Sequence, residues 1–298
     1  MPVNSGFESR VEEYCVDEAF DSLLYQLLAS REKNPERRRI LLELSRQEAE
    51  HRDFWERILG RKCRGVSRLK LYFYLFLRLV FGLTFTIKFL EKHEERVVEE
   101  YKSVLKFLGE RDRVVLERII KDEEEHEAKL IGQIDEAIVR YMSFIVLGLA
   151  DAIVEITGVH AGALGVTSST IMAGITGLIV GFSAAISMAS AAYLQAKHEA
   201  GRSPFFSSLA TGIAYISAVV LLAAPYFVVH SILYAFIASL IIAVALIAGF
   251  SYYGSIVFDR SFKRELAEST SLMLATAFGS YLFGEYLGSV FGVRSLFS

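Results

Sequence analysis

The sequence predicts an all-α protein in two parts: a soluble four-helix bundle over residues 1–140, followed by five membrane-crossing helices over residues 141–298. Three observations predict it. Residues 1–140 are dense in Glu, Lys and Arg, whereas beyond residue 140 Ala, Ile, Leu, Gly and Ser take over. The motif Glu-x-x-His occurs twice in the charged half, each time behind an upstream Glu and Tyr. Five apolar runs in the second half are each long enough to cross a hydrocarbon core of about 30 Å. A net charge of −3, with no basic stripe interleaved with aromatics, argues against nucleic acid as a partner.

At the N-terminus, "MPVNSGFESRVEEYC" has no apolar h-region, so no cleavable signal peptide is expected and internal segments must provide membrane insertion. Cys15 and Cys63 lack CxxC spacing. They are expected to be reduced cytosolic thiols, neither a disulfide framework nor a zinc site.

The charged half contains an internal repeat. "RQEAEHRDFWERIL" carries Glu48 and His51, and "KDEEEHEAKLIGQI" carries Glu123 and His126. Glu18 precedes Tyr25 by seven residues, as Glu94 precedes Tyr101. The copies are offset by 75 residues at the Glu-x-x-His pairs and by 76 at the Glu–Tyr pairs. This reads as a duplicated helical hairpin joined by a crossover. Glu and His at i and i+3 share one helix face. Two such pairs plus Glu18 and Glu94 supply four carboxylates and two imidazoles to a bundle core. That donor set suits two adjacent ferrous or manganous ions. Glu95 competes with Glu94, and the repeat offset favours the latter. Tyr25 and Tyr101 are expected to pack, or to hydrogen-bond to a ligand carboxylate.

Between the copies lies "LKLYFYLFLRLVFGLTFTIKFL", residues 69–90, apolar yet carrying Lys70, Arg78 and Lys88. A crossing here would put the two halves of the repeat on opposite sides of a membrane. It is therefore expected to be amphipathic, lying on a bilayer or packed on the bundle.

The five runs cover about 141–167, 170–196, 206–229, 231–256 and 270–293. Small faces at Gly158, Gly162 and Gly165, and at Gly174, Gly177 and Gly181, suit close helix packing in lipid. Arg140, Lys197, Arg202, Arg260, Lys263 and Arg264 gather at one set of span ends, with only Arg294 at the other. This bias predicts an integral membrane protein with a cytoplasmic N-terminal domain and, after five crossings, an external C-terminus. The first run contains Asp151 and Glu155, four residues apart on one helix face. A charged acid at mid-bilayer costs roughly 2.5–3.5 kcal/mol on insertion scales, so the pair marks a cation pathway in which metal and protons exchange. Five spans form a thin ring, and a homodimer encloses a pathway more simply.

On the two Glu-x-x-His motifs, residues 8–138 resemble a rubrerythrin-type, ferritin-like di-iron domain. On "VLGLADAIVEITGVHAGALG" and "GLIVGFSAAISMASAAYL", residues 141–293 resemble the vacuolar iron transporter family. The fusion in this order is similar to the membrane-bound ferritins of prokaryotes. The resemblance implies a homodimer with its path at the two-fold axis, a Fe²⁺/Fe³⁺ di-metal centre (Mn²⁺ as the alternative), and a transport path with Asp151 as the first-span Asp. It implies the same path role for Met188, which residue type alone would assign to packing, and Glu155 matches the fused subfamily. The chain departs from that pattern at Ala152, Val180, Ala191 and Ala192 and lacks a metal-collecting insert between spans two and three. The resulting expectation is export of cytosolic Fe²⁺, or Mn²⁺, by proton exchange, with the soluble domain capturing the metal. The alternative is a membrane-anchored di-iron ferroxidase or peroxidase, or an iron sensor.

Overall fold

The computed structural model describes residues 5–129, 137–199 and 201–292, with their side chains except at 5, 93–96, 125–129 and 137. The chain divides into two compact units, residues 1–136 and 137–298. Among the described residues the regular structure is entirely helical.

The first unit contains α1 (Ser5–Arg31), α2 (Pro35–Leu59), α3 (Arg68–Phe81), α4 (Leu83–Val104) and α5 (Glu110–Lys129), with a short 3₁₀ turn at Leu105–Phe107. Helix α1 packs along α2, and α4 along α5. The α1–α2 corner is local chemistry. Asn34 Oδ1 accepts the backbone N–H of Glu36 at 2.9 Å and of Arg37 at 3.1 Å, and Pro35 occupies the first turn. Gly60 closes α2 in the left-handed region at φ 71°. The expected amphipathic stretch 69–90 becomes two elements, because Gly82 at φ 89° separates α3 from α4.

Two apolar clusters fill this unit. One joins Phe20, Leu24, Tyr25 and Leu28 of α1 to Ile40, Leu41 and Leu44 of α2, with Leu71 and Tyr74 of α3 and Ile87 and Leu90 of α4. The other joins Tyr14 and Cys15 to Phe54, Trp55, Tyr101, Leu116 and Ile119. Along α1 and α2, the buried Glu18 and Glu48 fall between them.

The expectation of two separate thiols is wrong: Cys15 and Cys63 form a disulfide with Cα atoms 5.8 Å apart. The segment after α2 folds back over α1. Arg64 N–H donates to Glu12 at 2.8 Å, and Arg61 pairs with the same carboxylate at 2.5 Å. This return brings together residues 48 positions apart in sequence.

The second unit contains α6 (Ala137–Arg140), α7 (Met142–Val166), α8 (Thr170–Ala196), α9 (Pro204–Ala223), α10 (Pro225–Val228), α11 (Ile232–Val257) and α12 (Phe262–Phe291). Among the described residues, four stretches are long and apolar enough to cross a membrane: Met142–Val166, Thr170–Ala196, Pro204–Val228 and Ile232–Val257. The expected count of five is corrected to four. The run at 270–293 falls in α12, but Ser and Thr residues, Tyr281, Glu285 and Tyr286 interrupt its apolar residues. The crossing count therefore no longer supports placing the C-terminus opposite the N-terminal domain. Helix α12 instead packs along α7, where Gly162 and Gly165 meet Gly284.

At Gly165 an added Cβ would lie 2.6 Å from the Gly284 carbonyl carbon, a backbone atom that cannot rotate away. Gly165→Ala is expected to cost about 1–3 kcal/mol of stability. In detergent this should lower the thermal midpoint of the full chain by several degrees. Gly279→Ala, where a Cβ meets nothing within 4 Å, should leave it unchanged.

Candidate metal centre

The site is built by helical periodicity. On α1 the buried positions Val11, Tyr14, Glu18, Asp21, Tyr25 and Leu28 recur every three or four residues, so Glu18 sits in the core stripe. On α2, Glu48 and His51 lie one turn apart on the inward face. From α5, Glu123 completes the group. Donor atoms of Glu18, Glu48, His51 and Glu123 all lie within 4.8 Å of one another, and all four residues are buried. His51 Nδ1 is 2.8 Å from Glu123 Oε1, 3.2 Å from Glu48 Oε2 and 3.7 Å from Glu18 Oε2. On its other side, Nε2 is 3.9 Å from Asp122.

A hydrogen-bonded chain orients Glu18. Tyr101 O–H donates to Glu18 Oε1 at 2.5 Å, and Trp55 Nε1–H donates to the Tyr101 oxygen at 3.2 Å. Tyr14 packs edge-on to Tyr101 with ring centroids 4.9 Å apart and donates to Glu100 at 3.0 Å. The electrostatics follow from crowding. Burial, and then the neighbouring Glu123, hold the Glu48 carboxyl well above its usual range. Burial alone would lower the His51 pKa, but hydrogen bonds to Glu123, Glu18 and Glu48 outweigh it and raise it. Burial, helped by the Glu100 hydrogen bond, pushes Tyr14 up to about 12.

Three carboxylates and an imidazole converging in a dry interior match the donor preferences of a borderline divalent cation. A bound cation would balance the buried charge and act there as a Lewis acid or, for iron, a redox centre. Of the six expected ligands, the structure brings together Glu18, Glu48, His51 and Glu123. The side chains of Glu94 and His126, with that of the competitor Glu95, lie outside the described residues. Tyr101 contacts a cluster carboxylate. Tyr25 instead donates to Glu91 Oε1 at 2.5 Å.

Asp21 and Glu91 are among the buried acids that sequence reasoning missed. Glu91 is 6 % exposed and Asp21 is 5 % exposed. Burial, then the charge of Glu18, raises the pKa of Asp21, with weaker pushes from Asp17 and Glu91. The available signal was the core stripe: Asp21 lies between Glu18 and Tyr25, and Glu91 beside Leu90 in the stripe of Ile87, Val98 and Tyr101.

In the second unit, Asp151 and Glu155 are half-buried on α7, and Met188 is half-buried on α8. Tyr215 of α9 donates to Glu155, tying that carboxylate to a neighbouring helix. Met188 packs against the cluster of Ala152, Ile153, Ile156 and Tyr215. His160 is fully buried, with its ring 4.1 Å from that of Tyr226. Glu285 accepts from Tyr281 at 3.4 Å. A cavity of about 540 Å³ has Met142, Ala150, Arg202, Arg260, Glu265 and Glu268 in its wall, Ala150 being the neighbour of Asp151.

Fold and site together define a helical metal-handling domain joined to a membrane-capable helical unit. The family comparison agrees for the first part: the family described as Rubrerythrin matches residues 12–132, a span that includes all six expected ligands. Residues 12–132 are thus a rubrerythrin-type, ferritin-like domain. No curated protein and no solved structure matches the chain.

Raised pKa values at Glu48 and His51 have a defined consequence for the metal-stripped protein. A group whose folded pKa exceeds its unfolded value stabilises the fold at low pH and loses that contribution as pH rises. For Glu48 the loss starts near the ordinary 4.5, and for His51 near 6.5. Stripped protein should therefore melt at progressively lower temperature from pH 5 to pH 8. Added Fe²⁺ or Mn²⁺ should reverse the trend, because metal binding favours the deprotonated ligands.

Proposed function

We propose that the protein exports Fe²⁺, with Mn²⁺ as the alternative cargo, and that its ferritin-like domain captures the metal before transfer. The observation that carries this reading is one chain holding both a buried Glu18–Glu48–His51–Glu123 cluster and two acids on a membrane-capable helix. Glu94 and His126 complete the capture site as a two-metal centre. Asp151, Glu155 and Met188 line the path, and the cation exchanges for protons on the two acids. The resemblance of residues 141–293 to vacuolar iron transporters supports that assignment, as does the cavity beside Ala150. Two copies form the path between them, since four crossings enclose a channel poorly.

The N-terminal domain lies in the cytoplasm on this reading. Arg140, Lys197, Arg202, Arg260, Lys263 and Arg264 all flank one set of ends of the four apolar helices, and the short turns at 167–169 and 229–231 carry no Lys or Arg. The Cys15–Cys63 disulfide pulls the other way, since cytosolic thiols are normally kept reduced. The distribution of Lys and Arg sets the orientation adopted here. In intact cells, a membrane-impermeant maleimide should therefore fail to label a cysteine placed at exposed Val114 until the membrane is opened. Labelling of intact cells would reverse the orientation.

A second reading is oxidation of captured Fe²⁺ within the first unit. It is favoured by redox-capable Tyr101 and Trp55 in hydrogen-bonded series with Glu18. The two readings separate in vesicles carrying an internal metal dye and a pH probe. Asp151→Ala should reduce Fe²⁺ flux and the linked proton flux by at least tenfold while metal content per chain stays constant. Unchanged flux in that variant removes the path assigned here, and oxygen uptake without flux would leave oxidation as the activity.

A further inference from the structure

Helix α3 carries large apolar residues on two opposite faces, and the first unit covers only one of them. Leu71, Tyr74 and Leu77 face inward. Lys70 pairs with Asp17 at 3.3 Å and Arg78 with Glu32 at 3.2 Å, fixing the helix to α1 and its C-terminal corner. The opposite stripe is Leu69, Tyr72, Phe73, Phe76, Leu79 and Val80. These positions recur as i, i+3, i+4, i+7, i+10 and i+11, so they form one continuous band. Its most exposed members are Leu69 at 80 % and Leu79 at 84 %. A continuous exposed apolar band of this kind marks an interaction surface.

We propose that this band is a membrane-surface anchor that seats the ferritin-like domain on an anionic bilayer. Length excludes a crossing: 14 residues span only about 21 Å, short of the roughly 30 Å hydrocarbon core. Charge selects the partner. The helix contains no acid, and exposed Lys62, Arg64 and Arg68 lie at or just before its start. Interfacial helices that combine an apolar face with flanking cations bind anionic headgroups in this way. The preceding segment is held in place by Glu12 and by the Cys15–Cys63 bond, so the cations and the band are presented together. Covalent attachment supplies the bilayer: the first unit ends at residue 136 and the first membrane-capable helix starts at Met142. Such a tether makes membrane contact effectively intramolecular. A second copy fits less well, because a helix with cations and no acid offers no complementary charge to another copy of itself.

The anchor rests on the membrane reading of the second unit, and incorporation of the full chain into lipid nanodiscs checks that reading separately. In such discs a polarity-sensitive fluorophore would be attached at Leu79→Cys, at Phe76→Cys, or at Val114→Cys on α5 as the control. All three positions are exposed, so folding is not at stake. With one-third phosphatidylglycerol, the labels at 76 and 79 should shift to the blue and lose at least half their intensity to 5-doxyl lipid, while the label at 114 should not. Arg68→Glu combined with Arg64→Glu should reduce that quenching at least twofold. Incorporated protein whose labels at 76 and 79 stay as water-exposed as the one at 114 overturns the anchor. So does label–label self-quenching without doxyl lipid, which would assign the band to a second copy.

Discussion

Burying several carboxylates within a few ångströms of one another is the constraint on which the first unit depends. Glu18, Glu48 and Glu123 sit in an interior flanked by two apolar clusters, where charges interact far more strongly than in water. Among the described residues, the His51 imidazole faces all three. Three carboxylates crowded in such an interior favour the uptake of protons or of a cation. The Trp55–Tyr101–Glu18 chain shows that the polar geometry is organised rather than left to relax. Apolar packing on either side of the acids keeps the elements together, and the acids make that packing conditional on a positive charge.

A similar problem arises in the second unit, where Asp151 and Glu155 sit on a membrane-capable helix. On a helix that crosses a bilayer, an acid is stabilised by partners on neighbouring helices. The bond from Tyr215 secures Glu155 to a neighbouring helix. Close backbone contact at Gly162, Gly165 and Gly284 gives α7 a rigid frame against α12. The acids are therefore carried by a helix with little freedom to turn them elsewhere.

The helical class and the four members of the buried cluster were legible because both depend on local period. Glu48 and His51 announce their shared face by spacing alone, and the duplicated motif singled them out from the many acids around them. Asp21 and Glu91 were not legible by that route, since a repeat highlights only what both copies keep. Their burial is encoded in the apolar stripe instead. The Cys15–Cys63 bond depends on the 60–64 segment folding back over α1, a long-range event that no local spacing reports. Helix α12 was read as a span because it has the length and many large apolar residues. Its polar interruptions instead suit a helix packed along α7.

The duplication also shows where the two halves have parted. At the 76-residue offset, Tyr25 corresponds to Tyr101, yet the two phenols serve different acids: Tyr101 donates to Glu18, and Tyr25 donates to Glu91. The same offset pairs Glu91 with Cys15. In one half that helical position carries a buried carboxylate held by a tyrosine, and in the other a cysteine tied to the segment that leads into α3. A symmetric bundle would give both halves equivalent surroundings. Here one half adds a carboxyl group to the polar interior, while the other spends the position on a cross-link beside the aromatic cluster of Tyr14, Trp55 and Tyr101. The chemical environment of the site is therefore unequal on its two sides, and that inequality follows from one position of the repeat occupied by two different residue types.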